Sequence, residues 1–516
     1  MSATEQPLFI SNASSSSSQQ SIHHEEAIHP ALDPLKHDLV DLDATPAISS
    51  PSAHSDVMPT AGIPSSMISI CNTMLGSGML ALPNAIASVG ALPGALLICL
   101  FGCASGFGLF LLGRCAAFTG RASSFNAISK LTYPKAAIFF DLAIAVKCFG
   151  VGVSYLVIIG DLMPQAMHDL FGVDQGSIWM HRRFWISIFM TIIIPLSFLR
   201  RLDSLKYTSF VALVAVLYLF MLVIYLFFDP ARLPAAEGKV AIWSPHWTFF
   251  SRLPIFVFAF TCHQNLFAVY NELIDNTPRR INFVIWQSIL IALAIYLPVG
   301  LLGYQMYGDD VKSNMLKNFP ASVLVTIARL AITILVMFSF PLQCHPSRAS
   351  LDKVIHIMAK WRLPFNKTTS YQPVAPSTAE DFGATSSSAS PDAEHAKSLS
   401  TVVDVDEELP SPGMDKRMSQ RRFILLTSGI IIASYILAFF LDDLGKVLEL
   451  VGATGSTTIC YILPGLFYLK LKENDRWRDP VKLGALVLTV AGCIIMPVCV
   501  VSSILTASPE DVDQLP

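Results

Sequence analysis

The run Ile70-Cys71-Asn72-Thr73-Met74-Leu75-Gly76-Ser77-Gly78-Met79-Leu80-Ala81-Leu82-Pro83 lies inside an apolar stretch from about Pro64 to Val89. A helix of about 20 apolar residues crosses the roughly 30 Å of hydrocarbon in a bilayer, so this stretch is long enough to span one. Gly76 and Gly78 bracket a serine near its middle. They weaken the helix where no water can satisfy freed backbone groups. Two readings fit: the glycines admit a closely packed neighbour, or the helix breaks beside a cavity. In the second case the exposed amides and positive half-helix end suit a carboxylate, and freed carbonyls suit a cation.

Eleven apolar stretches follow one another along the chain: about Pro64 to Val89, Leu92 to Phe118, Ala136 to Met163, Phe184 to Leu199, Tyr207 to Phe228, Leu253 to Leu273, Val284 to Met306, Val323 to Cys344, Phe423 to Leu441, Val447 to Leu469 and Val481 to Leu505. The sixth contains Phe260-Thr261-Cys262-His263-Gln264-Asn265-Leu266. Polar and ionisable groups at this depth are costly and mark a pathway or a ligand site, unless, as His263 allows, they bond across to a neighbouring helix. No Gly or Pro stands at its centre, so unwinding is less strongly indicated here than in the first stretch. The two anomalies sit five spans apart, the pattern of two inverted five-helix repeats meeting at a midplane site. The halves show no evident identity, and the correspondence alone favours a transporter over a channel or receptor.

Composition agrees with a membrane protein. Of 516 residues, 53% are hydrophobic and 14% charged, with a mean hydropathy of +0.54; a soluble domain carries nearer 25% charge. Lys and Arg total 35 against 38 Asp and Glu, so no basic face is available and nucleic acid is excluded as a partner. The ten cysteines fall almost wholly within apolar stretches, where they behave as small hydrophobes. Neither a CxxC nor an HExxH spacing occurs, so no metal or other cofactor is expected. With no Ser/His/Asp constellation or phosphate loop either, an enzyme is the least favoured class. The N-terminus lacks the basic and apolar regions of a cleavable signal.

The expected organisation is a disordered tail over 1–60, helices one to eight over 61–348, a mostly disordered insert over 349–420, helices nine to eleven over 421–506 and a short tail over 507–516. Tail and insert are rich in Ser, Pro and acids and cannot bury enough surface to offset chain entropy. Lys and Arg resist translocation. Arg114, Arg121, Lys130, Lys135, Arg200, Arg201, Arg279, Arg280, Lys470 and Lys472 crowd alternate loops, whereas Asp309-Asp310 and Asp442-Asp443 lie in the others. The N-terminus is therefore expected in the cytosol and the C-terminus outside it. Asn12-Ala13-Ser14 and Asn366-Lys367-Thr368 are sequons in the expected cytosolic segments. Neither should carry glycan; a gel shift on glycosidase treatment that disappears when either Asn is mutated would overturn this topology.

Other intramembrane groups are few. Tyr155 offers a hydroxyl to a bound carboxylate, or is an ordinary packed tyrosine. Lys147 would cost roughly 2.5 to 3.5 kcal/mol at a lipid-facing midplane, so it is expected to face the bundle interior, with Asp141 or Glu449 as partner. Ser339 precedes a proline kink in Phe338-Ser339-Phe340-Pro341-Leu342-Gln343-Cys344-His345-Pro346-Ser347-Arg348, where His345 is expected at the cytosolic helix end.

Together Asn72 to Pro83, Val257 to Glu272 and Phe340 to Arg348 resemble the amino acid/auxin permease family. The first is similar to the broken helix of sodium-coupled neutral amino acid transporters. The other two look closest to fungal vacuolar amino acid transporters. The resemblance covers about Pro64 to Leu505 outside the insert. It implies an all-α polytopic protein of about eleven transmembrane helices, the leucine-transporter-type 5+5 inverted repeat with broken first and sixth helices. On that pattern the backbone of Gly76, Ser77 and Gly78 receives the substrate carboxylate, with Tyr155 as supporting donor, and Thr73, Thr261 and Gln264 complete the substrate-binding set. Asn72 and Ser339 match sodium-holding positions, so a sodium ion stays open beside a co-transported proton. His263 is the candidate proton-coupling group, because imidazole titrates near 6.5.

The function so implied is a secondary transporter exporting L-amino acids from the vacuolar lumen to the cytosol by proton symport, with the C-terminus lumenal. Proton entry is worth about 1.4 kcal/mol per pH unit, enough for about tenfold accumulation. Two alternatives stand beside it: a plasma-membrane importer coupled to sodium, and an amino acid sensor with little flux. Expected partners are a small-molecule amino acid and membrane lipid, while any regulatory partner of the tail and insert is undetermined.

Overall fold

The computed structural model describes residues 61–174, 176–200, 206–229, 238–244, 247–362, 418–476 and 478–506. The expected N- and C-terminal tails, residues 363–417 of the Ser-rich insert and both sequons lie outside the described residues. Described residues are helical throughout apart from turns and one isolated bridge, Ala61 to Leu273.

The first apolar stretch forms α1 (Ile63–Met74) and α2 (Ser77–Ala87), bent by 52° at the break between them. Then come α3 (Ala91–Ala116), the short α4 (Phe125–Thr132), α5 (Ala137–Phe171), α6 (Arg182–Ser197) and α7 (Lys206–Phe228). The sixth stretch divides into α8 (Phe249–Ala259) and α9 (Leu266–Glu272). Following it are α10 (Pro278–Tyr307), α11 (Val323–Arg362), α12 (Gln420–Phe440), α13 (Leu444–Val451), α14 (Leu463–Leu471) and α15 (Pro480–Leu505). Start and stop signals are local. Pro stands in the first turn of α1, α10 and α15, where its missing N–H costs nothing. Ser419, Asp443 and Asp479 cap α12, α13 and α15 through side-chain oxygens. Gly172 closes α5 with φ 59°, a left-handed conformation that favours glycine.

Nine described spans are long and apolar enough to cross a membrane, and α1 with α2 makes a tenth. The fourth expected span is α6, whose 16 residues cover only about 24 Å. Counting it restores the expected eleven. Large apolar side chains such as Phe139 (67% exposed), Leu425 (71%) and Val487 (61%) stand on the outer surface, as a lipid-facing belt requires.

Two expectations are corrected. The eighth span does not end near Cys344: α11 runs on to Arg362, so His345 lies within the helix and residues 349–362 of the expected insert are helical. Pro341 and Pro346 sit inside it, because neighbouring groups in a bundle can satisfy the carbonyls a proline frees. The tenth span holds a feature the sequence did not signal, since Gly452–Ser456 and Thr458–Ile462 are π-helical between α13 and α14. Finally, Lys147 is buried but pairs with neither expected acid. Asp141 meets Lys353 at 3.6 Å and Glu449 meets Arg252 at 3.0 Å. Asp141 and Lys147 are six positions apart on one helix, about 240° around its axis, so they face different neighbours.

The helices that carry the site occupy the interior. Within their apolar windows, α8–α9 is 83% buried and α5 78%, against 28% for α15. α5 packs along α11 and against α6, α12 and α13, while α10 lies against α1, α2 and α3.

Candidate functional site

Both expected breaks are real, and they meet. α1 stops at Met74, where the Leu75 N–H donates to Cys71 O at 2.7 Å, and α2 starts at Ser77 with Gly76 as its N-cap and no side-chain cap. A helix start leaves its first N–H groups without intrahelical acceptors, so the Gly76–Gly78 segment retains donor capacity. In the sixth span α8 stops at Ala259, a turn of 3₁₀ helix covers His263–Asn265, and α9 resumes at Leu266. Polar side chains rather than glycine accompany this second break. Ser105 of α3 donates to Phe260 O at 2.8 Å, and Thr261 donates to Val257 O at 2.9 Å.

Tyr296 of α10 ties the two breaks together. Its hydroxyl, wholly buried, lies 2.6 Å from Met74 O and 2.9 Å from Ala259 O, the carbonyls at the ends of α1 and α8. Asn265 adds a second tie, donating from Nδ2 to Thr73 Oγ1 at 2.7 Å. The sequence reading missed both. Tyr296 is the one hydroxyl-bearing residue in the central apolar run Ile289 to Leu302 of its span, flanked by Gln287, Ser288, Tyr304 and Gln305 nearer the ends, and that central position is its signal.

A cavity opens between the breaks, lined by Thr73, Gly76, Ser77, Tyr155 and Thr261 together with Lys147, Met74, Val151 and Phe258. Five of the seven expected substrate-binding residues thus share one wall. Ser154 donates to Ser77 Oγ at 3.2 Å and to Val151 O at 2.8 Å. The Tyr155 hydroxyl lies 3.7 Å from where a Cβ on Gly76 would stand, which puts it beside the break. Gly78 is not in the wall. A Cβ there would come within 3.0 Å of Ala259 Cα, so Gly78 lets α2 press against the second break. Both readings of the glycine pair therefore hold, one at each glycine.

Gln264 lies outside the wall, its amide oxygen and nitrogen buried without hydrogen bonds. His263 is also outside it and fully buried, and neither ring nitrogen has a well-formed hydrogen bond. A Cβ on Gly108 of α3 would stand 2.9 Å from His263 Nε2 and overlap Cys460 O, so glycine makes room for the imidazole. Asn72 is half-buried on α1 and Ser339 is 9% exposed on α11; neither lines the cavity.

The outer ends of the two broken spans are tied down as well. At the α9 end, Ala61 N–H donates to Glu272 O at 3.0 Å and Ile274 N–H to Ala61 O at 2.9 Å, while Arg121 holds Asn271 O and Leu273 O at 3.1 and 3.2 Å. At the α8 end, Arg252 pairs with Glu449 at 3.0 Å and donates to Asn84 Oδ1 at 2.8 Å. Asn84 in turn donates to Val311 O at 2.7 Å.

This architecture has close counterparts in sequence. A family model described as transmembrane amino acid transporter protein matches residues 59–505. The chain belongs to that family, the amino acid/auxin permeases. It is 36% identical over 459 residues to vacuolar amino acid transporter 6 of Saccharomyces cerevisiae, covering 86% of this chain and 99% of that one. Vacuolar amino acid transporter 5 of Schizosaccharomyces pombe is 37% identical over 412 residues, 79% of this chain and 84% of that one. Sodium-coupled neutral amino acid transporter 7 of Danio rerio is 26% identical over 441 residues, 82% of this chain and 83% of that one. Among solved structures, MhsT in complex with L-phenylalanine superposes with a TM-score of 0.51 at 14% identity, over 85% of this chain and 98% of that one. At such identity the likeness is one of fold, the leucine-transporter type. The transporter is thus an integral membrane protein that takes a small-molecule amino acid, and its relatives are transporters rather than enzymes.

Proposed function

We propose that this transporter moves L-amino acids across the vacuolar membrane, from lumen to cytosol, in symport with protons. The observation that carries the proposal is the convergence of two helix breaks on one cavity, where Thr73, Gly76, Ser77, Tyr155 and Thr261 share a wall. Backbone donors at the start of α2 suit the substrate carboxylate, Tyr155 offers a hydroxyl to the rest of the molecule, and Thr73 and Thr261, whose hydroxyls donate to Ser69 O and Val257 O, offer acceptor capacity alone. Kinship with the yeast vacuolar transporters supports the vacuolar membrane. The basic residues of alternate loops support a cytosolic N-terminus and a lumenal C-terminus.

His263 is the proposed proton carrier, a buried imidazole at the second break with neither nitrogen in a well-formed hydrogen bond. Replacing it with glutamine should abolish accumulation driven by a pH gradient, lumenal side acidic, while exchange of substrate down its own gradient persists. A correctly inserted His263→Gln protein with unchanged pH-driven accumulation would remove His263 from the coupling. The deciding experiment is uptake of labelled amino acids into proteoliposomes, with and without a pH gradient and with sodium replaced by choline. Drive by the gradient and indifference to sodium supports the proposal. Dependence on sodium would move the coupling to Asn72 and Ser339, and binding without uptake would make the protein a sensor.

A further inference from the structure

Lys147 stands in the wall of the cavity with no opposite charge to meet it. It is 2% exposed. The buried acids among the described residues are already matched: Asp141 with Lys353, Asp161 with Lys317, Asp169 with Arg329 and Glu449 with Arg252. Among the described residues no ion pair or hydrogen bond reaches the Lys147 ammonium. Its ionisable neighbours are the thiols of Cys148, Cys262 and Cys460 and the imidazole of His263. Thiols are neutral and imidazole is neutral or cationic around pH 7. The root of the side chain is fixed: a Cβ on Gly455, in the π-helical segment, would stand 2.7 Å from Lys147 Cβ. The backbone of the tenth span therefore presses on the lysine stem where it joins α5.

A buried ammonium without a counter-charge is strongly unfavourable. It is tolerable in a cavity whose ligand supplies the charge. We infer that Lys147 is the cationic partner of a carboxylate on the bound substrate. The inference rests on the reading of this cavity as the substrate site. An amino acid brings one carboxylate on its α-carbon and an acidic one brings a second on its side chain; the contact with the ammonium is the same chemistry in either case.

The test compares the full chain with its Lys147→Met variant, which keeps the stem and removes the charge. KM is measured in proteoliposomes for each transported amino acid, with glutamate against glutamine and aspartate against asparagine as matched pairs. The variant should raise KM about tenfold or more, the worth of a hydrogen bond to a charged group, with a smaller change in kcat. A loss shared by all substrates assigns the α-carboxylate, and a loss confined to glutamate and aspartate assigns the side-chain carboxylate. Without substrate, the variant should melt no lower than the parent, because it sheds an unmatched charge. Unchanged KM values would overturn the inference, as would a substrate-free variant that melts well below the parent, since the partner would then lie within the protein. A parent chain that neither transports nor is stabilised by any amino acid would sink the transport reading first, and this inference with it.

Discussion

Replacing Arg329 with methionine should destabilise the protein by about 3 to 5 kcal/mol, the penalty for stranding one member of a buried ion pair. Arg329 lies in the second turn of α11 and pairs with Asp169 near the end of α5; their side chains are 3% and 7% exposed. The guanidinium also donates to Leu316 O at 3.1 Å and Phe319 O at 2.8 Å, so it closes the loop that leads into α11. In the variant Asp169 keeps one hydrogen bond, from Thr326 at 2.9 Å, and no cation. Thermal unfolding in detergent would show the loss, and adding Asp169→Leu should recover a good part of it, because an apolar pair replaces a buried ionic one at little cost. Should the single variant melt with the parent, the pair contributes nothing to the fold.

Tyr296→Phe should lower kcat/KM by about tenfold with the protein still folded. One hydroxyl serves the carbonyls of Met74 and Ala259, and losing it leaves both buried without this donor, at a cost of about 1 to 3 kcal/mol. The cost falls on the junction that sets the two breaks side by side. Transport should therefore suffer more than melting temperature. A phenylalanine variant with parental uptake would mean that helix packing alone aligns the breaks.

These groups show what was legible in the sequence. The first break could be read from Gly76 and Gly78, because glycine weakens a helix by itself. The second could be read only from polarity at Thr261 to Asn265, and it proved a true interruption although no glycine or proline stands at its centre. Five of the residues expected to bind substrate share a wall because they belong to, or face, those two breaks. What could not be read depends on helix phase and on partners distant in the chain. The acids expected for Lys147 are taken by Lys353 and Arg252, and in the π-helical turn Gly452–Ser456 the glycines Gly452 and Gly455 leave room for Pro254 O and the Lys147 stem. The end of α11 was misplaced for a third reason: a proline stops a helix in water more surely than within a bundle.

The length of α11 has a mechanical meaning. Forty residues make a rod of about 60 Å, twice the thickness of the hydrocarbon it crosses. It is tied to α5 at three points along its length, by Arg329 to Asp169, Ser347 to Ala145 O at 3.2 Å, and Lys353 to Asp141 at 3.6 Å. α5 carries Lys147 and Tyr155 into the cavity wall, and the far end of α11 leads straight into the Ser-rich stretch. Pro341 and Pro346 fall between the first and the last of these ties, so α5 acts as a splint across the part of α11 that proline leaves weakest.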